Sequence, residues 1–210
     1  MSADPTVADP WEIETVEIRG RSTRVFRRAP TTLRDIWTAS AAHGDRTFLV
    51  YEDERWTYSE THRRVAALAH RWVHVDGVRA GDRIAIACRN YPEWAVVFWA
   101  TVGIGAVAVP LNAWWTGPEL GYGLEHSGSV VLVADEERLD RIAPHLASTA
   151  VRSVVTVRTD RTVAGAIPFA EASATSATSP NADGNAWDGA DDADAKFPAF
   201  SVAAEIVMVR

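Results

Sequence analysis

The chain has 210 residues and a formal net charge of −7, and hydrophobic residues make up 47% of it. This length and apolar content suit one globular domain, or one domain with an additional piece. A single cysteine, Cys88, excludes a disulfide framework and a zinc site built from several thiolates, and it favours a reducing cytoplasm. Residues 171–196 carry six acidic residues and one basic residue, a net charge of −5, which leaves −2 for the rest of the chain. The net charge of the rest of the chain therefore argues neither for nor against an acidic partner.

The N-terminal region is predicted to be a β arm or hairpin. Residues 1–12 lack the charged and apolar regions of a signal peptide. From Trp11 to Phe26, apolar and polar residues alternate loosely on both sides of a turn at Gly20. Five arginines in this region could suggest a nucleic-acid patch, but neighbouring glutamates and the lack of interleaved aromatic residues favour a solvated edge.

The next elements are a helix, two short strands and a second helix. Thr32 to His43 has amphipathic spacing, with Leu33, Ile36, Trp37 and Ala41 on one face. Residues 47–51 and 55–58 are predicted strands around a tight turn. A helix follows to about residue 75, capped by Thr57 or Ser59, with Glu60 placed for a capping box on Thr57. Its predicted buried face consists of Val65, Leu68, Ala69, Trp72 and Val73.

The uncharged stretch Trp94 to Pro118 has 25 residues, more than the ~20 that a membrane-spanning helix needs. A membrane anchor is therefore one reading. We favour a buried helix from Pro92 to Gly103, capped by Asn90, because glycines end it and Pro110 interrupts any continuation.

Short apolar strands surround this helix, at residues 83–88, 106–109 and 130–133. Strands without alternating polarity, separated by helices, are typical of a parallel sheet covered on both faces. The predicted fold is thus α/β, a doubly wound and mostly parallel sheet. Further helices begin at Thr116 and Asp135, and a last strand covers residues 151–157.

Composition divides the chain into three parts. Residues 1–170 are predicted to form the folded subdomain. Residues 171–196 are rich in Ala, Ser, Thr and Asp with almost nothing to bury, which is typical of a disordered linker. Residues 197–210 regain apolar side chains but are too few to form a domain.

Other motifs in the sequence do not indicate a catalytic, nucleotide or metal site. Residues 103–108 match G-x-G-x-x-A, but the motif follows a helix and enters a strand, the reverse of a dinucleotide site, so close packing is the better reading. His70 and His74 have the i, i+4 spacing of zinc ligands, yet no third ligand is evident and a solvated helix face is favoured. The sequence contains neither a G-x-S-x-G elbow nor a G-x-x-x-x-G-K-[ST] loop.

The candidate cofactor-binding residues lie at the expected carboxyl end of the sheet, where open parallel sheets bind ligands. Asn112, Trp114 and Trp115 follow strand 106–109, and the two adjacent tryptophans cannot both enter a core. Arg138 lies beyond strand 130–133 and could meet a phosphate, although a position on the helix surface is the favoured reading.

Residues 77–135, GVRAGDRIAIACRNYPEWAVVFWATVGIGAVAVPLNAWWTGPELGYGLEHSGSVVLVAD, resemble the N-terminal part of the AMP-forming acyl-CoA synthetases. Upstream, FLVYEDERWTYSE is similar to the opening strands and helix of that family, and the arm at residues 11–26 is similar to that of fatty-acid–CoA ligases. The resemblance covers residues 31–157 as an ordered series of elements rather than one decisive motif.

The resemblance implies two-step chemistry with ATP, Mg²⁺ and CoA: a carboxylate, here a fatty acid, forms an acyl-adenylate and then a thioester. In the family, a phosphate loop ending in Pro-Lys-Gly, a Thr-Glu segment, a ribose-binding Asp and a catalytic Lys follow the matched region. None of them occurs in this sequence. We therefore expect an incomplete N-terminal subdomain that is inactive alone and binds none of these cofactors tightly, with no catalytic residue and no metal ligand. A frameshift or premature stop near Ala195 would explain why residues 196–210 do not resemble the family.

Two other functions stay open. The chain could be a non-catalytic binding or interaction module that keeps half of a nucleotide-binding fold. It could also be a membrane protein anchored by residues 94–118. For the incomplete ligase subdomain we expect a cytoplasmic protein that does not bind nucleic acid and that exposes enough apolar surface to aggregate or to recruit chaperones.

Overall fold

The structure is a computed structural model, and it describes residue 9 and residues 11–174. The predicted tail at 197–210 and nearly all of the predicted linker at 171–196 lie outside the described residues. Within residues 11–174 the chain divides into an N-terminal unit, up to Thr31, and a larger unit that begins at Thr32.

The described residues contain nine strands, six α-helices and two short 3₁₀ helices. The strands are β1 (Ile13–Ile18), β2 (Arg21–Phe26), β3 (Thr47–Tyr51), β4 (Glu54–Thr57), β5 (Arg83–Ala87), β6 (Val107–Pro110), β7 (Val131–Asp135), β8 (Ser153–Val157) and β9 (Ala166–Pro168). The helices are α1 (Leu33–Ser40), α2 (Tyr58–His74), α3 (Pro92–Gly103), α4 (Gly117–Ser127), α5 (Glu136–Ile142) and α6 (Phe169–Ala172). The 3₁₀ helices are Ala41–His43 and Ala143–Ser148.

The larger unit is built on a five-stranded sheet in the order β6-β5-β7-β8-β9, and every neighbouring pair is parallel. Side chains of β5 alternate between two buried clusters, with Ile84 and Ile86 on one face and Ala85 and Ala87 on the other. Helices α2 and α3 cover the first face, and α4 and α5 cover the second. The predicted doubly wound α/β fold is confirmed.

Helix α3 is the buried helix expected in the uncharged stretch, but its N-cap is Tyr91 rather than Asn90. The tyrosine side chain makes no capping hydrogen bond, and Pro92 supplies the first helical residue, where no backbone N–H is needed. Val96, Val97 and Ala100 are fully buried. Among the described residues, no helix is both long enough and apolar enough to cross a membrane.

The predicted helix caps are confirmed at three positions. Thr57 and Glu60 form a reciprocal capping box at the start of α2, and Thr116 and Glu119 do the same for α4. Asp135 accepts a hydrogen bond from the Arg138 N–H at the start of α5. Each box satisfies backbone donors that the first helical turn leaves free.

Two details of the larger unit differ from the sequence prediction. Ile36 was expected on the buried face of α1, but 44% of its surface is exposed, whereas Trp37 is buried. Strand β9 and helix α6 were not predicted; α6 reaches Ala172, which is buried, two residues beyond the predicted end of the subdomain. Ala166–Pro168 is too short to show an apolar period, and its pairing with β8 defines it as a strand.

The N-terminal unit contains the predicted hairpin. β1 and β2 pair in antiparallel register, and the two-residue turn has Arg19 and Gly20 at positive φ values of 50° and 74°. A turn of this kind favours glycine, because only glycine adopts positive φ without a steric cost. The Arg27 guanidinium forms ion pairs with Glu12 and Glu14, as expected for a solvated edge of mixed charge.

Candidate functional site

The carboxyl ends of β5, β6, β7 and β8 lie along one edge of the sheet, because these strands are parallel. The segments that leave this edge carry most of the buried or paired charges of the larger unit. Three of the four predicted cofactor-binding residues lie in the segment after β6, here called the Trp loop (residues 111–116). The fourth, Arg138, lies in the first turns of α5.

Asp135 is the centre of a buried polar network at this edge. It is the last residue of β7, and only 4% of its surface is exposed. Its carboxylate accepts hydrogen bonds from the Arg89 backbone N–H at 3.0 Å and from the Arg138 backbone N–H at 3.1 Å. The Arg138 guanidinium donates to both carboxylate oxygens, each at 3.0 Å. Asp135 therefore connects the segment after β5 to the start of α5.

Arg138 is buried, so the interpretation of this residue as a helix-surface arginine is wrong. Its surface is 1% exposed, and a second ion pair joins it to Glu137 at 3.0 Å. Its Nε donates to the carbonyl oxygen of Ala113 at 2.8 Å. The sequence pattern of α5 did not reveal this, because the Ala113 carbonyl that accepts from the guanidinium lies 25 positions earlier, in the Trp loop. In this arrangement the charge of Arg138 is already neutralised within the protein.

The Trp loop is held by α5 through its backbone. In addition to the bond from Arg138 to Ala113, Arg141 donates from a terminal guanidinium nitrogen to the carbonyl oxygen of Trp115 at 3.0 Å. Asn112 accepts a hydrogen bond from the Trp114 N–H at 2.9 Å through its side-chain oxygen, which closes a local turn. The loop conformation is thus fixed by three separate polar contacts.

The two adjacent tryptophans occupy different environments. Trp114 is 70% exposed, whereas Trp115 is half-buried against α4. A Cβ atom added to Gly123 would lie 3.2 Å from the Trp115 ring, which shows how closely helix and ring approach. The Arg89 guanidinium lies 4.7 Å from the centroid of the Trp114 ring, in cation–π contact. Trp114 and Arg89 together form an exposed, flat and cationic surface. The sequence prediction missed Arg89, because the only local signal was its place close after a strand.

Arg158, at the end of β8, was also missed. Its guanidinium makes a bidentate pair with Glu54 at 2.7 and 3.0 Å and pairs with Glu93 at 3.1 Å. It lies over the rings of Tyr51 and Tyr91, with centroid distances of 4.8 and 5.1 Å. The hydrogen bonds that Arg158 donates to Glu54, followed by the one to Glu93, raise the pKa of Arg158 despite partial desolvation. Arg158 therefore anchors the β3–β4 turn to this edge of the sheet.

Two sequence features do not form reactive sites in the described residues. Cys88, which follows β5, is buried, and this burial raises the pKa of its thiol, so it is not poised as a thiolate. The G-x-G-x-x-A match joins the end of α3 to β6, as predicted from its polarity. A Cβ atom added to Gly105, which has φ 74°, would lie 3.4 Å from the Ala80 Cβ, so this glycine packs closely. A Cβ added to Gly103 would have no atom within 4 Å. Close packing therefore explains only one of the two glycines.

Comparison with known proteins gives a consistent result. The family profile described as AMP-binding enzyme matches residues 36–197. The mitochondrial malonate–CoA ligase of Mus musculus is 30% identical over 147 residues, which cover 64% of this chain and 25% of that protein. A medium/long-chain-fatty-acid–CoA/3-oxocholest-4-en-26-oate–CoA ligase of Mycobacterium marinum is 31% identical over 115 residues, covering 54% of this chain and 21% of the relative.

The solved structures agree at the level of the fold. A benzoate–CoA ligase from Burkholderia xenovorans superposes with a TM-score of 0.60 over 71% of this chain and 30% of that one, at 19% identity. The chain thus matches a quarter or less of the length of the two curated relatives. Residues 36–197, which match the family profile, include the parallel sheet, its flanking helices and the Trp loop.

Proposed function

The chain belongs to the AMP-binding enzyme family, and from this membership we propose that it acts as the N-terminal part of an ATP-dependent acyl-CoA ligase. The observation that carries the proposal is the family match over residues 36–197, together with a parallel sheet like that of solved CoA ligases. The reaction proposed for the complete enzyme activates a carboxylate as an acyl-adenylate with release of pyrophosphate, and CoA then displaces AMP to give a thioester.

Residues 11–174 do not fit ATP with Mg²⁺. A triphosphate needs clustered backbone donors, a cation and a metal, and Arg138, the residue that the sequence placed to meet a phosphate, is buried and already paired with Asp135 and Glu137. In this part of the chain, no group of three or more His, Cys, Asp or Glu side chains is placed to hold a metal ion. The one lysine of the sequence, Lys196, is followed by Phe197 rather than by the Gly of a Pro-Lys-Gly loop. We derive no catalytic step for ATP here, and we propose that the 210 residues alone do not catalyse adenylation.

The Trp loop is the part of this chain that we assign to cofactor contact in the complete enzyme. Trp114 offers an exposed ring for stacking on a flat group, and Arg89 adds a positive charge beside it. Asn112, Trp115 and Arg138 serve this contact indirectly, since they fix the loop from which Trp114 projects. CoA is the cofactor we propose for this surface, because the described residues do not fit Mg²⁺-ATP.

A fatty acid is the carboxylate that we propose as substrate. Its support is the name of the Mycobacterium marinum relative, which acts on medium- and long-chain fatty acids. The mouse relative is a malonate–CoA ligase of similar identity, so the acid must be tested directly. A cytoplasmic location and a tendency of the isolated chain to aggregate belong to the same proposal.

ATP–pyrophosphate exchange tests the proposed inactivity of the chain. The purified 210 residues are incubated with labelled pyrophosphate, ATP, Mg²⁺ and palmitate, malonate or benzoate in turn, beside an intact CoA ligase as positive control. We expect no exchange above the enzyme-free background. Exchange with any of the acids would refute the inactivity, and its preference among them would identify the substrate class.

A chimera tests the family role. Residues 32–170 replace the matching part of the Mycobacterium marinum ligase, and thioester formation from palmitate is measured. Retained activity supports the proposal, and its loss in a chimera that still melts cooperatively contradicts it. Within an active chimera, Trp114→Ala should raise the KM for CoA more than that for ATP, whereas equal effects would exclude the proposed contact.

A further inference from the structure

Helix α2 carries two histidines whose rings lie side by side. His70 and His74 are separated by one helical turn, and their ring centroids are 4.4 Å apart with an interplanar angle of 38°. Residues at this spacing share one face of a helix. The two rings therefore occupy adjacent space beside the helix.

Neither imidazole is used by the protein within residues 11–174. No hydrogen bond or ion pair to His70 or His74 occurs among these residues, whereas His62 on the same helix contacts the Ser40 hydroxyl at 3.0 Å. His70 is half-buried and His74 is exposed, so the pair stands at the border of the solvent. The nearest charged pair along the chain, Arg71 with Asp76, is internally neutralised at 3.3 Å.

Neutral imidazoles are the preferred protein ligands of borderline divalent metals, and two histidines at i, i+4 on one helix face are a recurrent half of such sites. We propose that His70 and His74 form a two-histidine site for a divalent transition metal of the zinc, nickel and copper class. The remaining coordination positions are taken by water, since residues 11–174 place no group of three or more His, Cys, Asp or Glu side chains for a metal ion. The site lies on a helix face that the proposed ligase function does not use.

The test is titration of the full chain with ZnCl₂, and separately with NiCl₂, at a pH where ordinary imidazoles are uncharged, about pH 8. Isothermal calorimetry should give one bound metal per chain for each salt. His70→Ala and His74→Ala should each weaken binding by roughly tenfold or more, because one imidazole alone is a poor ligand. His126→Ala removes an exposed histidine on α4 and serves as the matched control, with unchanged binding expected.

A spacing variant separates chelation from histidine content. The double change His74→Ala with Val75→His keeps all six histidines of the sequence and uses a position that is 65% exposed, so folding should be preserved. Residue 75 is the C-cap of α2 and is not one of the i+3 and i+4 positions that share the face of His70, so this variant should bind as weakly as His74→Ala. Absence of metal binding, or binding that the two histidine substitutions leave unchanged, would overturn the proposal. Metal-free melting curves of every variant report folding independently of the metal and of any ligase activity.

Discussion

The two faces of the five-stranded sheet are filled in different ways, although the same strands supply both. The face under α2 and α3 is packed by large side chains. Trp37, Trp72 and Phe169 are buried there, and six partly buried aromatic residues pack against this cluster: Phe48, Trp56, Tyr91, Trp94, Phe98 and Trp99. The face under α4 and α5 consists mainly of Leu and Ala, and Trp115 is the aromatic residue that borders it.

Glycines account for the difference. Gly117 and Gly121 of α4 approach the following helical segments so closely that an added Cβ would lie 2.6 Å from the Arg141 carbonyl oxygen and 2.8 Å from the His145 Cβ. The first face is therefore filled by large side chains, whereas on the second face the glycines let α4 lie close to the helical segments that follow it. The first should be sensitive to the removal of atoms, and the second to their addition.

The largest loss of folding stability is expected for Trp72→Ala on the face under α2 and α3, here called the aromatic face. Trp72 is fully buried, and truncation removes its burial and leaves a cavity, so the free energy of unfolding should fall by about 3–5 kcal/mol. Urea denaturation followed by circular dichroism measures this loss. Trp114→Ala is the matched control, since its ring is 70% exposed and the change should stay within about 0.5 kcal/mol. Equal losses for both variants would contradict the assignment of Trp72 to the core.

Arg138→Met, at the carboxyl edge of the second face, should lower the free energy of unfolding by about 3 kcal/mol. The substitution leaves Asp135, which is 4% exposed, without its cation, and an unpaired buried carboxylate is costly. The double variant Arg138→Met with Asp135→Asn removes that unpaired charge and should be more stable than Arg138→Met alone. If the double variant lost as much free energy of unfolding as Arg138→Met and Asp135→Asn lose together, the two side chains would not be coupled.

Gly121→Ala should lower the free energy of unfolding by about 1–3 kcal/mol, because the new methyl group would meet the His145 side chain at 2.8 Å. Gly103→Ala is the control, at the end of α3 on the aromatic face. No atom lies within 4 Å of the added Cβ there, so alanine should be neutral or stabilise by up to about 1 kcal/mol. If both substitutions cost the same, backbone proximity would not distinguish the two faces.

The smallest change in stability at neutral pH is expected for a substitution of His62, which stacks on Trp37 with ring centroids 3.9 Å apart. Burial lowers the pKa of His62 from 6.5 to about 4. Below pH 6.5 this histidine is therefore protonated in the unfolded chain while it stays neutral in the folded chain. The free energy of unfolding should fall as the pH drops from 6.5 towards 4.

His62→Phe retains a ring for stacking and should remove this part of the pH dependence, as measured by urea midpoints across the acidic range. Between about pH 7 and 8 the slopes of the two proteins should agree, since His62 is then neutral in both states. An unchanged slope below pH 6.5 in the variant would contradict the lowered pKa of His62.

Local sequence patterns were sufficient for the order of the elements and for the parallel sheet. Capping boxes at Thr57 and Thr116, the strand runs around Ile84 and Val131, and the glycines that end α3 each act within a few residues, so they can be recognised along the chain. The same patterns misplaced the cap of α3 by one residue and missed β9, which is defined by pairing with β8 rather than by its own composition.

The candidate site was decided by the tertiary structure. Its contacts join residues far apart in sequence: Arg89 and Asp135 are separated by 46 positions, Ala113 and Arg138 by 25, and Glu54 and Arg158 by 104. Whether an arginine after a strand faces water or a carboxylate depends on which strands become neighbours, and the order β6-β5-β7-β8-β9 differs from the order along the chain. The sequence by itself thus determined the parallel sheet and the position of its carboxyl edge. Burial of Arg138 and exposure of Trp114 followed from strand order and from helix packing across that edge.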